Sequence, residues 1–410
     1  MKPGRQLSSL TGMRFFLALW VILYHEIPHE AGRGIAWLPY ASAAADNTLR
    51  TGYAAVTVFF LLSGFVLAYN YDLDKRWSRV EITRFAAARF SRIYPAYFAG
   101  LLLLVPFALY RVIRDVGDES LSFRLFPINA ALLQAWLPRT ALTWNYPGWS
   151  LSDEAFFYLS FPAAGMLLWR IRKPSAILMA GLALWALSLA GPLITILAPV
   201  RGFGDVPATV ADFSPAAGFW ANVIRYNPVV RIPEFWAGIL MARLYRSLSP
   251  KSYLMGRGYW LYLPGIAVSG LVLAYASAIP YPLVHNGLLL PAYASAIFGL
   301  ALDGGLLARI LSAKPVVLLG NASYAMYILH VPIQISLIVA MRRVFSYGVA
   351  SDSIGWVLCY VLVVVVSACF FFKWVEEPLH IRVRKKLNAW LERRAFALAP
   401  REVPSSPPDA

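Results

Sequence analysis

Leu10–Glu26 reads LTGMRFFLALWVILYHE, an apolar run interrupted by one arginine and closed by a histidine and a glutamate. A run of this length and hydrophobicity is close to the roughly 20 residues that cross a bilayer as a helix. The same pattern recurs along the chain. Apolar segments long enough to span lie near 10–28, 52–70, 93–112, 153–170, 175–198, 228–245, 258–279, 284–305, 318–340 and 355–375. The fold predicted is therefore an all-α integral membrane protein of about ten transmembrane helices. Residues 121–142 are moderately apolar and read as an interfacial or re-entrant piece.

Composition agrees. The 410 residues are 59% hydrophobic and only 14% charged, against about 25% charged in soluble domains. A soluble fold has no place to hide that much apolar surface, so the solvent is lipid. The 14 Trp and 22 Tyr suit the two interfaces. The net charge of +16 would suggest nucleic acid in a soluble protein. Here it reads as loop anchoring, and no nucleic-acid partner is expected. With the N-terminus inside, 25 Lys and Arg fall on the cytoplasmic side and 11 outside, with Arg14 within the first helix. That bias places both termini in the cytoplasm. Two cysteines, Cys359 and Cys369, form no disulfide framework.

The chain divides into a membrane domain, 1–380, and a basic cytoplasmic tail, 381–410, that ends in VPSSPPDA and is expected to be partly disordered. Within the tail, 382–396 suits a helix on an anionic inner leaflet, with membrane lipid as its partner.

Ionisable groups in a membrane interior are costly and each needs a reason. Arg14 and His25 are eleven residues apart, on one helical face and about 16 Å from each other along the axis. Arg14 by itself is explained by snorkelling and His25 by the outer interface. Arg89 and Arg92 share a face at i, i+3; ordinary anchoring explains them, and so does a clamp on phosphate oxygens. In NYPGWSLSDEAFFYLSF, Asp153 suits a helix start, whereas Glu154 enters an apolar run at the depth expected for His25, where a carboxylate would orient the imidazole. Ser323, Tyr327 and His330, at i, i+4 and i+7, make a polar stripe expected to face the bundle interior. His285 and His380 read as interface residues, and no metal-ligand set is evident.

His25-Glu26-Ile27-Pro28-His29 also matches the metalloprotease pattern H-E-x-x-H, and Asp303-Gly304-Gly305 resembles the aspartate segment of intramembrane zinc proteases. Pro28 disfavours the helical turn that would bring both histidines onto one face, so this stays a minor alternative. A transporter or flippase is the other one. It would normally leave inverted repeats, and no internal repeat is evident.

Six elements occur in one order: Leu10-Thr11-Gly12-Met13-Arg14 leading to His25; Phe59-Phe60-Leu61-Leu62-Ser63-Gly64-Phe65; Arg89-Phe90-Ser91-Arg92-Ile93-Tyr94-Pro95; Trp149-Ser150-Leu151-Ser152-Asp153-Glu154 with Phe157-Tyr158; Ser323-Tyr324 with Tyr327, His330 and Pro332; and Glu376 with Pro378. Together they resemble the bacterial membrane acyltransferase 3 family, whose members O-acylate cell-envelope polysaccharides and related glycans. The resemblance runs from about Leu7 to Pro378. One departure is that an acid common after the family's first-helix arginine region is absent, with Met13 and Phe15-Phe16 there instead. Many relatives carry a fused C-terminal esterase-like domain. About 30 residues follow the last helix here, so a stand-alone version is expected.

The resemblance implies a protein of the bacterial cytoplasmic (inner) membrane and acyl-CoA, most simply acetyl-CoA, as a cytoplasmic donor substrate without any permanently bound cofactor. The acceptor it implies is a hydroxyl of a glycan or lipid-linked saccharide, with polysaccharide-assembly proteins as further partners. On this reading His25 is expected to act as general base or as a transient acyl carrier, with Glu154 orienting it, Arg14 steadying the donor or the bundle, and Arg89 and Arg92 on the donor phosphates. Ser63, Tyr327, His330 and Glu376 are the remaining pocket candidates.

Overall fold

The computed structural model describes residues 7–27, 35, 38–114, 121–197, 218–248, 252–345 and 353–397. The described residues are mostly helical, with no strand among them. Ten long helices form the body: α1 (Ser8–His25), α2 (Ala55–Asn70), α3 (Arg79–Ile113), α4 (Trp149–Trp169), α5 (Pro174–Leu197), α6 (Pro228–Ser247), α7 (Tyr259–Ala274), α8 (Leu290–Leu302), α9 (Lys314–Phe345) and α10 (Ile354–Phe371). A π-helical turn, Phe372–Glu376, leads into α11 (Glu377–Ala397). Each apolar segment of the sequence falls on one of these ten helices.

Six stretches among the described residues are long and apolar enough to cross a bilayer: Gly52–Asn70, Arg79–Ile113, Pro174–Leu197, Tyr281–Ala301, Lys314–Arg343 and Ile354–Trp390. α1, α4 and α6 are not among them, and these three carry Arg14, Asp153 with Glu154, and Arg231 with Glu234. The outward faces of the apolar helices are greasy. Leu102, Leu103 and Leu109 on α3, Leu178 and Leu182 on α5, and Leu358, Leu362 and Phe370 on α10 are all exposed. A water-facing surface of that kind would drive association, whereas lipid-facing it needs no partner. The chain is a multi-pass membrane protein.

α3 begins with a capping box: the Ser78 hydroxyl accepts from the Glu81 N–H at 3.2 Å, and a Glu81 carboxylate oxygen accepts from the Ser78 N–H at 2.9 Å. Of the helix pairs that approach at backbone distance, α2–α6 and α1–α9 position the interior. A Cβ on Gly238 of α6 would stand 2.1 Å from the Leu61 carbonyl oxygen of α2, and one on Gly64 would stand 2.0 Å from that of Phe235. On α9, a Cβ on Gly320 would stand 2.0 Å from the Thr11 carbonyl oxygen of α1. Small residues permit such contact where lipid offers no hydrophobic drive to pack helices. Thr11 touches Gly320 near one end and His25 touches His330 near the other, so α1 and α9 run parallel.

Residues 121–142 do not make a long helix. They form 3-10 turns and a short helix, Phe126–Ala130, tucked against α3 and α4. Buried Gln134 donates to the Gly148 carbonyl (2.7 Å) and to the Tyr97 hydroxyl (3.0 Å), and Tyr97 donates to the Asn129 carbonyl (2.8 Å). Irregular backbone is tolerated at membrane depth only where protein satisfies it in this way.

The α2–α6 contact yields a direct test. Gly238→Leu inserts four carbons where 2.1 Å is free, beyond the ~1–3 kcal/mol of ordinary overpacking. A several-fold loss of monodisperse protein in detergent is expected. Gly181→Ala, with nothing within 4 Å, should be silent. Equal yields for the two variants would refute the close approach.

Candidate active site

Two cavities lie end to end inside the bundle. The first has a volume of about 150 Å3 and is lined by Arg14 of α1, Ser63 of α2, Arg89 and Arg92 of α3, Glu154 and Tyr158 of α4, and Ser323, Tyr324 and Tyr327 of α9, among others. The second is smaller, about 40 Å3, and is lined by Tyr24 and His25 of α1, Tyr53, Tyr146, Trp149, Tyr226, His285 and Tyr327, among others. Val56 and Tyr327 belong to both walls. The Tyr327 hydroxyl is held 2.9 Å from the Ser150 hydroxyl and 3.2 Å from the Pro147 carbonyl oxygen, so the ring is fixed across the boundary.

In the first cavity Glu154 accepts hydrogen bonds from Ser63 (2.9 Å) and from Tyr158. Arg92 pairs with Glu376, which is fully buried, and donates to the Asn321 carbonyl at 3.2 Å. The π turn that carries Glu376 also sets the Phe372 ring 5.7 Å from the Arg92 guanidinium. Arg89 lies 6.0 Å from the Phe85 ring and 5.9 Å from the Tyr158 ring. Aromatic faces favour a guanidinium in such a site, and three arginines on one cavity make it a strong anion attractor.

In the second cavity His25 Nδ1 is 2.9 Å from His330 Nε2, and His330 Nδ1 is 2.7 Å from the Tyr327 carbonyl oxygen. The Tyr146 ring packs edge-on against His25 at 4.9 Å. The polar stripe of α9 faces inward: Ser323, Tyr327 and His330 are all buried.

The expected residues thus divide into two groups. Arg14, Ser63, Arg89, Arg92 and Glu154 meet in the first cavity, with Glu376 behind Arg92. His25 and His330 meet beside the second. Glu154 was expected against His25, and the arrangement differs. α4 starts at Trp149, so Glu154 is more than a turn inside the helix, about 7 Å along its axis. That rise carries its carboxylate past the Tyr327 boundary to Ser63 and Tyr158. The neighbour that His25 has instead is an imidazole.

Among the described residues the zinc-protease arrangement is not assembled. Pro28 and His29 lie outside the described residues. The Glu26 carboxylate accepts from Gln334 (2.5 Å) and from the Trp356 indole (3.0 Å). The chain just before Asp303 lies against the far end of α1, where the Ser9 hydroxyl donates to the Leu300 carbonyl at 3.0 Å. His25 is sixteen residues further along α1, about 24 Å by helical rise.

Sequence reasoning missed a buried cluster. Arg231 and Glu234 of α6 form an ion pair at 3.0 Å, both essentially unexposed. Arg231 also donates to Thr57 (3.0 Å) and to the His285 carbonyl (2.8 Å), and its guanidinium stands 5.9 Å from the Trp149 ring. His285 was expected at an interface. It is buried, its Nδ1 lies 2.7 Å from the Asn286 side-chain oxygen, and its ring lines the second cavity. His380 bonds the Ser91 hydroxyl through Nδ1 at 2.8 Å. The available signal was Arg231-Ile-Pro-Glu234, an i, i+3 charge pair in an otherwise apolar helix.

Comparisons with known proteins agree on one class. The acyltransferase 3 profile, described as an acyltransferase domain, matches residues 7–373. Acyltransferase MdmB of Streptomyces mycarofaciens is 32% identical over 343 residues, covering 79% of this chain and 78% of its own. O-acetyltransferase OatA of Staphylococcus aureus (strain NCTC 8325 / PS 47) is 21% identical, covering 98% of this chain and 60% of its own. Exopolysaccharide production protein ExoZ of Rhizobium meliloti (strain 1021) is 25% identical, covering 87% of this chain and 98% of its own. No solved structure matches the chain.

The Arg231–Glu234 pair gives a test of the cavity wall. Arg231→Ala leaves Glu234 buried without its cation, a loss of about 3–5 kcal/mol. Little folded protein is expected from it. Adding Glu234→Ala should restore much of the yield, as read by size-exclusion chromatography. A double variant as poor as the single one would show that Arg231 acts through its other partners.

Proposed function

We propose, from the premise that this chain belongs to the acyltransferase 3 family, that it moves an acyl group from a cytoplasmic acyl-CoA to a hydroxyl of an exported or envelope glycan. The observation that carries this reading is the pair of abutting cavities. One is lined by three arginines, the other is bordered by His25, and they share Tyr327 and Val56. An anionic donor and a neutral polyol need differently furnished sites, and a group passing between them needs the sites to touch. The relatives' names fit the same chemistry: one is an O-acetyltransferase and another an exopolysaccharide production protein.

The donor's phosphates meet Arg89 and Arg92 at the basic end of α3. The buried Glu376 and the Asn321 carbonyl hold the Arg92 fork in place, so little ordering is left to the moment of binding. Arg14 and Glu154 furnish the deeper wall, where Glu154 aligns Ser63 and Tyr158. The thioester reaches Tyr327, and His25 takes the proton of the acceptor hydroxyl as the oxygen attacks the acyl carbon. The carbon–sulfur bond breaks, the ester forms, and the proton ends on the departing thiolate. Hydroxyl and thioester become ester and thiol with no redox change. A transient acyl-histidine would place the same bonds in two steps.

In this reading the ten long helices all cross the bacterial cytoplasmic membrane with both termini inside. Residues 1–380 form the catalytic domain and 381–410 a cytoplasmic tail. Its helix α11 lays exposed Arg382, Arg384, Lys385 and Lys386 toward an anionic leaflet. The outer cavity takes the acceptor.

Membranes holding the protein are given radiolabelled acetyl-CoA and envelope glycan. Transfer of label is expected, and His25→Ala should reduce kcat by about 100- to 10,000-fold, the range for a lost general base. Arg89→Ala and Arg92→Ala should instead raise the donor KM by roughly 10-fold or more, as expected when a charged hydrogen bond is lost. Unlabelled glycan across a range of acceptors and acyl chain lengths would overturn the function. Unchanged donor KM in both arginine variants would overturn the donor site.

A further inference from the structure

We propose that His330 fixes the tautomer of His25, acting as a neutral acceptor for its Nδ1 proton and making Nε2 the base nitrogen. The inference deepens the reading of His25 given above and rests on it.

The assignment follows from counting protons. A carbonyl oxygen only accepts, so the 2.7 Å contact from His330 Nδ1 to the Tyr327 carbonyl requires a proton on Nδ1. His330 is wholly buried in an apolar stretch of α9. A neutral imidazole carries one ring proton, so its Nε2 holds a lone pair. His25 Nδ1 lies 2.9 Å from that lone pair, and a bond between two nitrogens needs one proton. It must therefore sit on His25 Nδ1. On a neutral His25 the lone pair is then on Nε2, and the ring borders the second cavity.

The surroundings hold this chain still. Pro332 has no N–H, which leaves the Ile328 carbonyl without its helical partner. Asn145 donates to that carbonyl at 2.8 Å, and Tyr360 donates to the His330 carbonyl at 3.1 Å. Tyr146 packs edge-on against His25. The Glu154 carboxylate, the other plausible orienter, is engaged by Ser63 and Tyr158. A neutral orienter also has a physical advantage here. It places no permanent charge in the wall, and charge appears at His25 only while the proton is in transit. His330 touches no reacting atom and is a positioning residue.

The test compares His330→Gln, which keeps an acceptor oxygen at similar reach, with His330→Phe, which keeps the ring shape and loses the acceptor. Both are assayed for kcat and for acyl-CoA KM beside wild type and His25→Ala. His330→Phe should lower kcat about 100-fold or more, the scale of a misassigned tautomer or lost base, with donor KM within about two-fold, as expected if binding is untouched. His330→Gln should keep kcat within about ten-fold of wild type, the one-bond scale of a weaker acceptor. If His330→Phe does not accumulate, His330→Leu takes its place with the same expectations. Wild-type kcat in the acceptor-less variant overturns the proposal, and so does a glutamine variant no better than it at unchanged donor KM. A dead His25→Ala beside a fully active His330→Phe removes the relay alone. Full activity in His25→Ala removes the base, and the relay with it.

Discussion

The arrangement depends on two parallel helices that touch backbone to backbone. With no side chain on Gly320, α9 comes close enough to the Thr11 carbonyl for α1 to lie along it. About 20 Å further along α1, by helical rise, the same closeness brings two imidazoles within hydrogen-bond distance. In lipid there is no hydrophobic gain in pressing two apolar helices together, so the approach has to be built from small residues and polar contacts. Here it is built from both. The glycine sets the spacing, and the histidine pair and the Gln334 bond to Glu26 use it, while Ser9 ties α1 to Leu300 of α8 and Glu26 ties it to Trp356 of α10.

Once α1 and α9 are fixed, the charged groups sort themselves by depth. Three of the charged groups have a partner near at hand, Glu376 for Arg92, Glu234 for Arg231, and two hydroxyl donors for Glu154, whereas among the described residues neither carboxylate oxygen of fully buried Asp153 has a hydrogen-bond partner. Leaving any of those three bare in this medium would cost several kcal/mol. The pairing also keeps the two cavities chemically distinct. Arginines line one and tyrosines, tryptophan and histidines the other. Tyr327 stands between them with its hydroxyl occupied by Ser150 and the Pro147 carbonyl, so its ring rather than its hydroxyl meets whatever passes.

Much of this was legible in the sequence because periodicity and hydrophobicity are local. Ten apolar runs became ten helices, the α9 stripe turned inward, and the arginine pair of α3 reached a cavity with Arg14. Partnerships across helices were less legible, since they depend on where each helix starts. Glu154 and His25 were matched by placing both near the outer side, and five residues of helix were enough to separate them. His285 looked peripheral because it follows a loop. That loop folds inward onto Arg231, an event set by α6 more than fifty residues away. Residues 121–142 read as an interfacial or re-entrant piece, but their internal bonds carry no periodic signal: buried Gln134 donates to the Gly148 carbonyl at the start of α4, and buried Asn129 donates to Leu125 and Thr143 within the segment and its flank.

The proline of the His330-Val-Pro332 segment shows how little is spare in the wall. A proline within a helix normally leaves one carbonyl unsatisfied and bends the chain. Here the freed carbonyl, on Ile328, is taken by Asn145, which stands just before the turn that opens α4. One missing N–H on α9 therefore ties α9 to the start of α4. The residues flanking that tie are Tyr146, which packs on His25, and Pro147, whose carbonyl holds Tyr327. A shift of α4 by a single residue would release the boundary tyrosine and the His25 ring together. The catalytic reading thus asks for rigidity at the same place where the backbone rules already require a partner.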